Sequence, residues 1–263
     1  MAKSVNAPTG TQAIERALSV LGVLADNGEL STGDLAQRTG LTAGTASRIA
    51  KALVAEGMLL RDPETDRYHL GPRAVVLGRS AERVLGLDKA MQPLQGLAES
   101  SHESVNLAAR DGAESVVLAR VQSTLPLRFV QHVGARFPLY STASGKAMLA
   151  FGDATSAYLA ELPTRLPPVG PGTLATRAQL ERQLEQIRER GYSIDIEENV
   201  EGVRCVGAPV LDADGIARAA VVLQAPSVRM HKDRIDELGP AVATTAREVS
   251  RVIPDASVLR SQD

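Results

Sequence analysis

Ser144, Gly145 and Lys146 set a hydroxyl, a flexible backbone and an ammonium side by side, the materials of a phosphate loop or an activated nucleophile. Neither spacing is met. A Gly-x-x-x-x-Gly-Lys-Ser/Thr loop needs glycine where Tyr140 stands and a hydroxyl where Ala147 stands. A Ser-x-x-Lys nucleophile needs its lysine one residue further from Ser144 than Lys146 is. The chain has a single cysteine, Cys205, which excludes an intramolecular disulfide and a multi-cysteine metal site. By itself Cys205 reads as a small hydrophobe in a strand. His69, His102, His132 and His231 lie far apart, in no zinc-type spacing, so neither metal nor cofactor is expected.

A second chemistry is recognition of an anionic polymer. Projecting the stretch after Thr42 at about 100° per residue places Ala46, Ile49, Ala50 and Leu53 on one side. Gly44, Ser47, Arg48 and Lys51 fall on the opposite side with Thr45 at its flank, a small, polar, cationic face suited to the major groove of double-stranded DNA.

That face needs elements to present it. Apolar residues from Ile14 to Ala25 (Ile14, Ala17, Leu18, Leu21, Leu24 and Ala25) recur at helical spacing and predict a helix over 12–26, ended by Asn27-Gly28. Ser31 with Asp34 three residues on opens a short helix that stops at Gly40, and Thr42 caps the next. Two short helices across a Gly40-Leu41-Thr42 turn make a helix-turn-helix. Strand candidates at 58–60 and 67–70 flank the turn Asp62-Pro63-Glu64-Thr65-Asp66, which predicts a wing with Arg67 near its tip, in reach of phosphates. The region 72–85 reads as a connecting helix closed by Gly86, and 88–101 as a second helix.

Beyond Ser101 the period becomes extended. Strands are expected at 105–110 and 115–121 around Asp111-Gly112, at 127–133, and at 192–196, 203–210 and 216–224. Helical stretches at 144–151, 155–162 and 177–190 separate the two groups, and 232–252 ends the fold. Two strand groups with helices between and after them predict an α+β domain, an antiparallel sheet covered by helices.

The totals set limits. At 263 residues and 44% hydrophobic content, two ordinary domains fit. No apolar run reaches about 18 residues and the polar arm 1–11 has no signal-peptide core, so a soluble, cytoplasmic protein without a membrane partner is expected. The net charge of −2 supplies no global attraction to nucleic acid, and acidic side chains slightly outnumber basic ones in the first 72 residues. DNA binding has to come from local placement of cations.

Nearly the whole chain resembles the IclR-type transcription regulators. The resemblance is carried by Ala13-Ile14-Glu15-Arg16-Ala17-Leu18, by Leu35-Ala36-Gln37-Arg38-Thr39-Gly40-Leu41, and by Asp62-Pro63-Glu64-Thr65 followed by Tyr68-His69-Leu70-Gly71. Further on it is carried by Gly145-Lys146-Ala147 after a Thr-Ala pair, Arg190-Gly191-Tyr192, and Gly202-Val203-Arg204-Cys205 running to Ala208-Pro209-Val210. It implies a winged helix-turn-helix over 12–71, a linker helix over 72–87 and a GAF-like effector-binding domain over 88–255, between a flexible arm (1–11) and a tail (256–263). It also implies a homodimer or dimer of dimers on a near-palindromic operator, a ligand-responsive repressor of a local catabolic operon.

Recognition roles carry over to Thr42, Thr45, Ser47 and Arg48, while Gly44 departs from the family's polar side chain and could admit a close backbone approach to phosphate. The family's ligand pocket maps onto Ala143, Ser144 and Gly145, onto Asp195, onto Cys205, and onto Val222 with Gln224, with Leu127 and Phe129 as an apolar wall. Free N–H groups at a helix start near Ser144-Gly145 suit a small organic acid, and Asp195 suits hydroxyl donors. Val222 and Gln224 depart from the family's small hydroxylic pattern. The more apolar wall favours a larger, aromatic acid over a two- or three-carbon oxoacid. The rival readings are an interaction module that does not act on DNA, left open by the weak charge, and an enzyme, which lacks a motif.

Overall fold

The computed structural model describes residues 11–253. The arm and tail expected at 1–11 and 256–263 lie, Thr11 apart, outside the described residues. The chain divides into two compact units after Ala81.

In the first unit, α1 (Gln12–Asn27), α2 (Thr32–Thr39) and α3 (Ala43–Ala55) precede a hairpin of β1 (Leu59–Arg61) and β2 (Tyr68–Leu70), and the chain passes to the second unit within α4 (Pro72–Val84). The start of α2 is a full capping box: Ser31 Oγ accepts from the Asp34 N–H at 3.2 Å, and Asp34 Oδ2 accepts from the Ser31 N–H at 3.0 Å. Gly40, at φ 68°, ends that helix in the left-handed conformation, so α3 starts within three residues. Val20, Leu24, Leu35, Ala46, Ala50, Leu59 and Tyr68 form one core. Tyr68 also exchanges two backbone hydrogen bonds with Leu30, at 2.8 and 3.0 Å, which fixes the hairpin to the loop between α1 and α2.

Helix α1 forms where its apolar period places it, and the core covers only part of its apolar stripe. Val20 and Leu24 are buried, whereas Ile14 and Leu18 are 60% and 61% exposed. The core of this unit meets only the C-terminal half of α1, so periodicity in its first turns marks an apolar stripe without a partner inside the unit.

The second unit opens with α5 (Leu87–Ser101) and the hairpin β3 (Ser104–Asp111) and β4 (Glu114–Val121). Next come β5 (Arg136–Pro138), α6 (Ala143–Ala150), α7 (Thr155–Glu161), α8 (Arg177–Arg190), β6 (Ser193–Ile196), β7 (Val203–Leu211), β8 (Ala217–Pro226) and α9 (Lys232–Val252). The strands form one antiparallel sheet in the order β5-β4-β3-β8-β7-β6. On one face Leu107, Val206, Val221 and Leu223 pack with Leu94 of α5 and with Leu238, Val242 and Val249 of α9. The other face meets α6, which packs in turn on Leu180, Leu184 and Ile187 of α8.

The strand expected at 127–133 is not one. Leu127, Val130 and Val133 are each more than half exposed, so the segment has no apolar face to bury. The outer edge of β4 is filled instead by the residues after Gly134, with Val116 opposite Arg136 and Glu114 opposite Pro138.

Replacing Ser31 by alanine removes one half of the capping box. Urea unfolding of Ser31→Ala should show a loss of about 1 kcal/mol, within the usual 0.5–2 range for a lost cap. An unchanged midpoint and slope would show that the box contributes nothing.

Candidate nucleic-acid interface and candidate effector cleft

Helix α3 presents the polar face foreseen from its period: Ala46 and Ala50 are buried, and Gly44, Arg48 and Lys51 are exposed. Thr42 has a defined local job. Its Oγ1 accepts the Thr45 N–H at 3.3 Å and donates to Thr45 Oγ1 at 2.9 Å, so it sets the start of the helix and leaves the Thr45 hydroxyl proton free to donate. Ser47 is half-buried beside this face. An added Cβ at Gly44 would meet nothing within 4 Å, so the unit itself makes no steric demand for glycine there.

Charge is arranged so that the cations of α3 stay available. Arg61 pairs with Asp66 at 2.8 Å and Arg73 with Glu56 at 3.3 Å, whereas Arg48 and Lys51 form no ion pair with any described residue. Arg67 is not at the tip of the wing. It stands where the turn enters β2, and its Nη1 donates to the Glu29 carbonyl at 3.1 Å, folding the side chain back toward the loop after α1. The tip is held by Asp62, whose Oδ1 accepts the N–H groups of Glu64 and Thr65 at 2.8 and 2.9 Å, contacts that lower its pKa.

In the second unit the sheet face toward α6 holds an unusual concentration of buried polar groups. Asp195, Cys205, Gln224 and Ser104 lie in one row across β6, β7, β8 and β3, and Gly207, Val222 and Asn106 lie in the next row that shares this face. The start of α6 presses directly on that surface. A Cβ on Gly207 would lie 2.8 Å from the Ala143 carbonyl, and one on Gly145 would lie 2.1 Å from that of Leu139. Both positions require glycine for close approach. Thr142 caps the helix by accepting the Gly145 N–H at 3.1 Å, which spends that donor and leaves those of Ala143 and Ser144 without an intrahelical acceptor.

Between this helix start and the sheet lies a cleft. Ala143, Ser144, Asp195, Val222 and Gln224 line it, five of the nine positions foreseen for an effector. Phe129 and Cys205 pack with Ala143 and Val222 on its apolar side. Gly145 is spent on backbone packing, and Leu127 is 60% exposed and lines nothing here. The sequence reading missed Asn106, Ser115, Gln131, Phe137, Thr142 and Asn199 in the same lining. Ser115 Oγ lies 2.7 Å from Ser144 Oγ, and Asn106 Nδ2 donates to Gln131 Oε1 at 2.6 Å. Alternation along β3 and β4 would have placed Asn106 and Ser115 inside, where a polar residue in an otherwise apolar strand is the signal.

Lys146 is fully buried. Its Nζ donates to Glu198 Oε1 at 2.5 Å, Ile194 O at 2.6 Å and Gln183 Oε1 at 2.7 Å, which uses all three donors. Asp195 accepts the Glu198 N–H at 2.7 Å. Burial and the negative charge of Glu198 push the Asp195 carboxyl up to about 7, opposed by Lys146 and by backbone N–H donors. Burial also raises Glu198, against the pull of Lys146. Burial, with the Asp195 charge, raises the Cys205 thiol well above its ordinary range, so it stays a thiol and is a poor nucleophile.

A winged helix-turn-helix and a separate sheet unit with a buried polar cleft are the parts of a two-domain DNA-binding regulator. Residues 13–63 match the IclR helix-turn-helix domain, and residues 83–251 match the bacterial transcriptional regulator IclR C-terminal domain. The chain is 33% identical over 242 residues to the regulator BhcR of Paracoccus denitrificans, covering 92% of this chain and 87% of that one. It is 30% identical over 249 residues to the transcriptional repressor AllR of Escherichia coli K12, covering 94% and 92%. Among solved structures, an IclR homolog of Microbacterium hydrocarbonoxydans complexed with 4-hydroxybenzoate shares the fold at a TM-score of 0.76 and 22% identity, covering 91% of this chain and 99% of that one. The chain belongs to the IclR family: it is a DNA-binding transcription regulator, and the family is one of regulators, not enzymes. Among the described residues no helix is long and apolar enough to cross a membrane.

The raised Asp195 pKa has a signed consequence. Between about pH 4 and 7 the folded state keeps a proton on Asp195 that the unfolded chain has shed, so this group's contribution to stability falls as pH rises through that window. The stability of the wild type relative to Asp195→Asn should therefore drop, on the order of a few kcal/mol, from pH 5 to pH 8. Parallel stability curves for the two proteins would show that Asp195 titrates normally.

Proposed function

We propose that this chain is a cytoplasmic repressor that binds a near-palindromic operator as a homodimer or dimer of dimers, and whose operator affinity is set by a small organic acid, aromatic in class, held in the Asp195 cleft. One observation carries the reading: polar side chains that an α+β core would otherwise exclude converge, buried, on the start of α6. The free N–H groups of Ala143 and Ser144 suit a carboxylate, and a protonated Asp195 can donate a hydrogen bond to the same ligand. Phe137 and Val222 supply the apolar wall for a ring. The Microbacterium homolog complexed with 4-hydroxybenzoate supports that class.

The cleft encloses about 30 Å³, close to the share of one water molecule in the liquid, so an aromatic acid enters only if its cover moves. The segment 125–133 is that cover. Asn106 holds Gln131 by its side chain, Arg120 Nη1 donates to the Gln131 carbonyl at 2.5 Å, and Phe129 is the apolar plug.

A second copy of the chain is supported by uncovered apolar helix faces. Ile14 and Leu18 of α1, and Val75, Val76, Leu77 and Val84 of α4, are all between 54% and 66% exposed. Large apolar side chains grouped in this way mark an association surface. Ligand-dependent dimer geometry would then reach the recognition helices through α4, changing their spacing on DNA.

Arg48 is the side chain best placed for a base or phosphate contact, joined on the same face by Lys51, Thr45 and Ser47. In a gel-shift titration with the upstream intergenic DNA of its own gene, Arg48→Ala should weaken binding roughly 10- to 100-fold, as expected of a lost bidentate contact. Its affinity for the acid should stay within about twofold. No salt-resistant specific complex with the wild type would remove the operator reading, and equal loss of both affinities would place Arg48 in the fold instead of the interface.

A further inference from the structure

On the outer side of edge strand β6 lies a second cleft of about 450 Å³, floored by Ile194 and Ile196, flanked by Arg190 of α8, and walled by Ile235 of α9. It is within the size range of small-molecule sites. Two buried side-chain atoms among the described residues have no hydrogen-bond partner, Glu198 Oε2 and Arg204 Nε, and both residues line this cleft.

Each orphan follows from its neighbours. The three donors of Lys146 are committed to Gln183, Ile194 and Glu198 Oε1, so it has none for Oε2 of a carboxylate whose side chain is 4% exposed. Arg204 donates through Nη1 to Met230 O at 2.9 Å and through Nη2 to Glu197 Oε1 at 3.3 Å, which leaves Nε. Buried polar atoms without partners are rare, and an anionic acceptor and a cationic donor lacking partners beside one cleft call for a ligand that carries both complements. Strand addition on β6 fits less well, because the Ile194 carbonyl already accepts from Lys146.

We propose that this cleft binds a branched aliphatic amino acid as its zwitterion, the ammonium donating to Glu198 Oε2, the carboxylate accepting from Arg204 Nε with Arg190 beside it, and the side chain lying on Ile194, Ile196 and Ile235. The site is separate from the Asp195 cleft, although the Glu198 N–H donates to Asp195, so the two share one segment. It stands whether or not that cleft takes an acid.

The test is isothermal titration of the full chain with L-valine, L-leucine and L-isoleucine up to about 10 mM, beside 4-methylpentanoate and 3-methylbutylamine, which lack the ammonium or the carboxylate of leucine. At least one amino acid should bind, and its two truncated analogues should bind at least tenfold more weakly. Ile196→Trp, at a position 41% exposed and so tolerant of bulk, should abolish binding with an unchanged melting temperature for the free protein. Glu198→Gln should weaken binding at least tenfold. No binding by any of the three amino acids, equal binding by an analogue, or binding that survives Ile196→Trp overturns the proposal.

Discussion

The buried Lys146 ammonium is the constraint around which the second unit is built. One side chain from α6 satisfies a glutamine of α8, a backbone carbonyl of edge strand β6 and the Glu198 carboxylate. An ammonium out of water is tolerated only with such a set of acceptors, and removing one member of a buried pair typically costs about 3–5 kcal/mol. That requirement fixes the height of α6 over the sheet, and the glycines at 145 and 207 let the backbones close to the distance it sets. The position of the Ala143 and Ser144 backbone donors at the start of α6 follows from this one contact set.

The same arrangement acts on two neighbouring carboxyls, both raised by burial and both drawn down by Lys146. Glu198 takes the ammonium directly, whereas Asp195, one row into the sheet, feels mainly desolvation and the charge of Glu198. Two buried carboxyls facing one lysine cannot both be well served. Asp195, which has no direct bond to the ammonium, is raised to about 7. The segment 125–133 beside its cleft is held by hydrogen bonds from Asn106, Arg120 and Ser104 and by the packing of Phe129.

Much of this was legible in the sequence where local rules decide the outcome. The Ser31 and Thr42 caps, the Gly40 stop, the polar face of α3 and the hairpin at Asp111-Gly112 depend on neighbours within four residues, and the structure has them. The period of α1 marks the helix and its apolar stripe, and not what covers the stripe. The strand at 127–133 was misread because a strand needs a partner edge, and that edge goes to 136–138. In the cleft, Asp195, Ser144 and Val222 were reached by family resemblance. Lys146 and Glu198 were not, since a lysine on a short helix is ordinarily solvated and only the fold brings Glu198 to it. Arg67 was placed at the wing tip by counting residues, and its bond to the Glu29 carbonyl depends on a loop 38 positions away.

A cleft governed by Lys146 and Asp195 and the polar face of α3 lie in separate units of one chain. The most direct test is the operator affinity of the full-length wild type and of Asp195→Asn, each with and without saturating 4-hydroxybenzoate at fixed salt and pH. A change of at least tenfold in the wild type, about 1.4 kcal/mol of coupling, and little or none in the variant is the predicted result. Equal operator affinity with and without the bound acid in the wild type would contradict it.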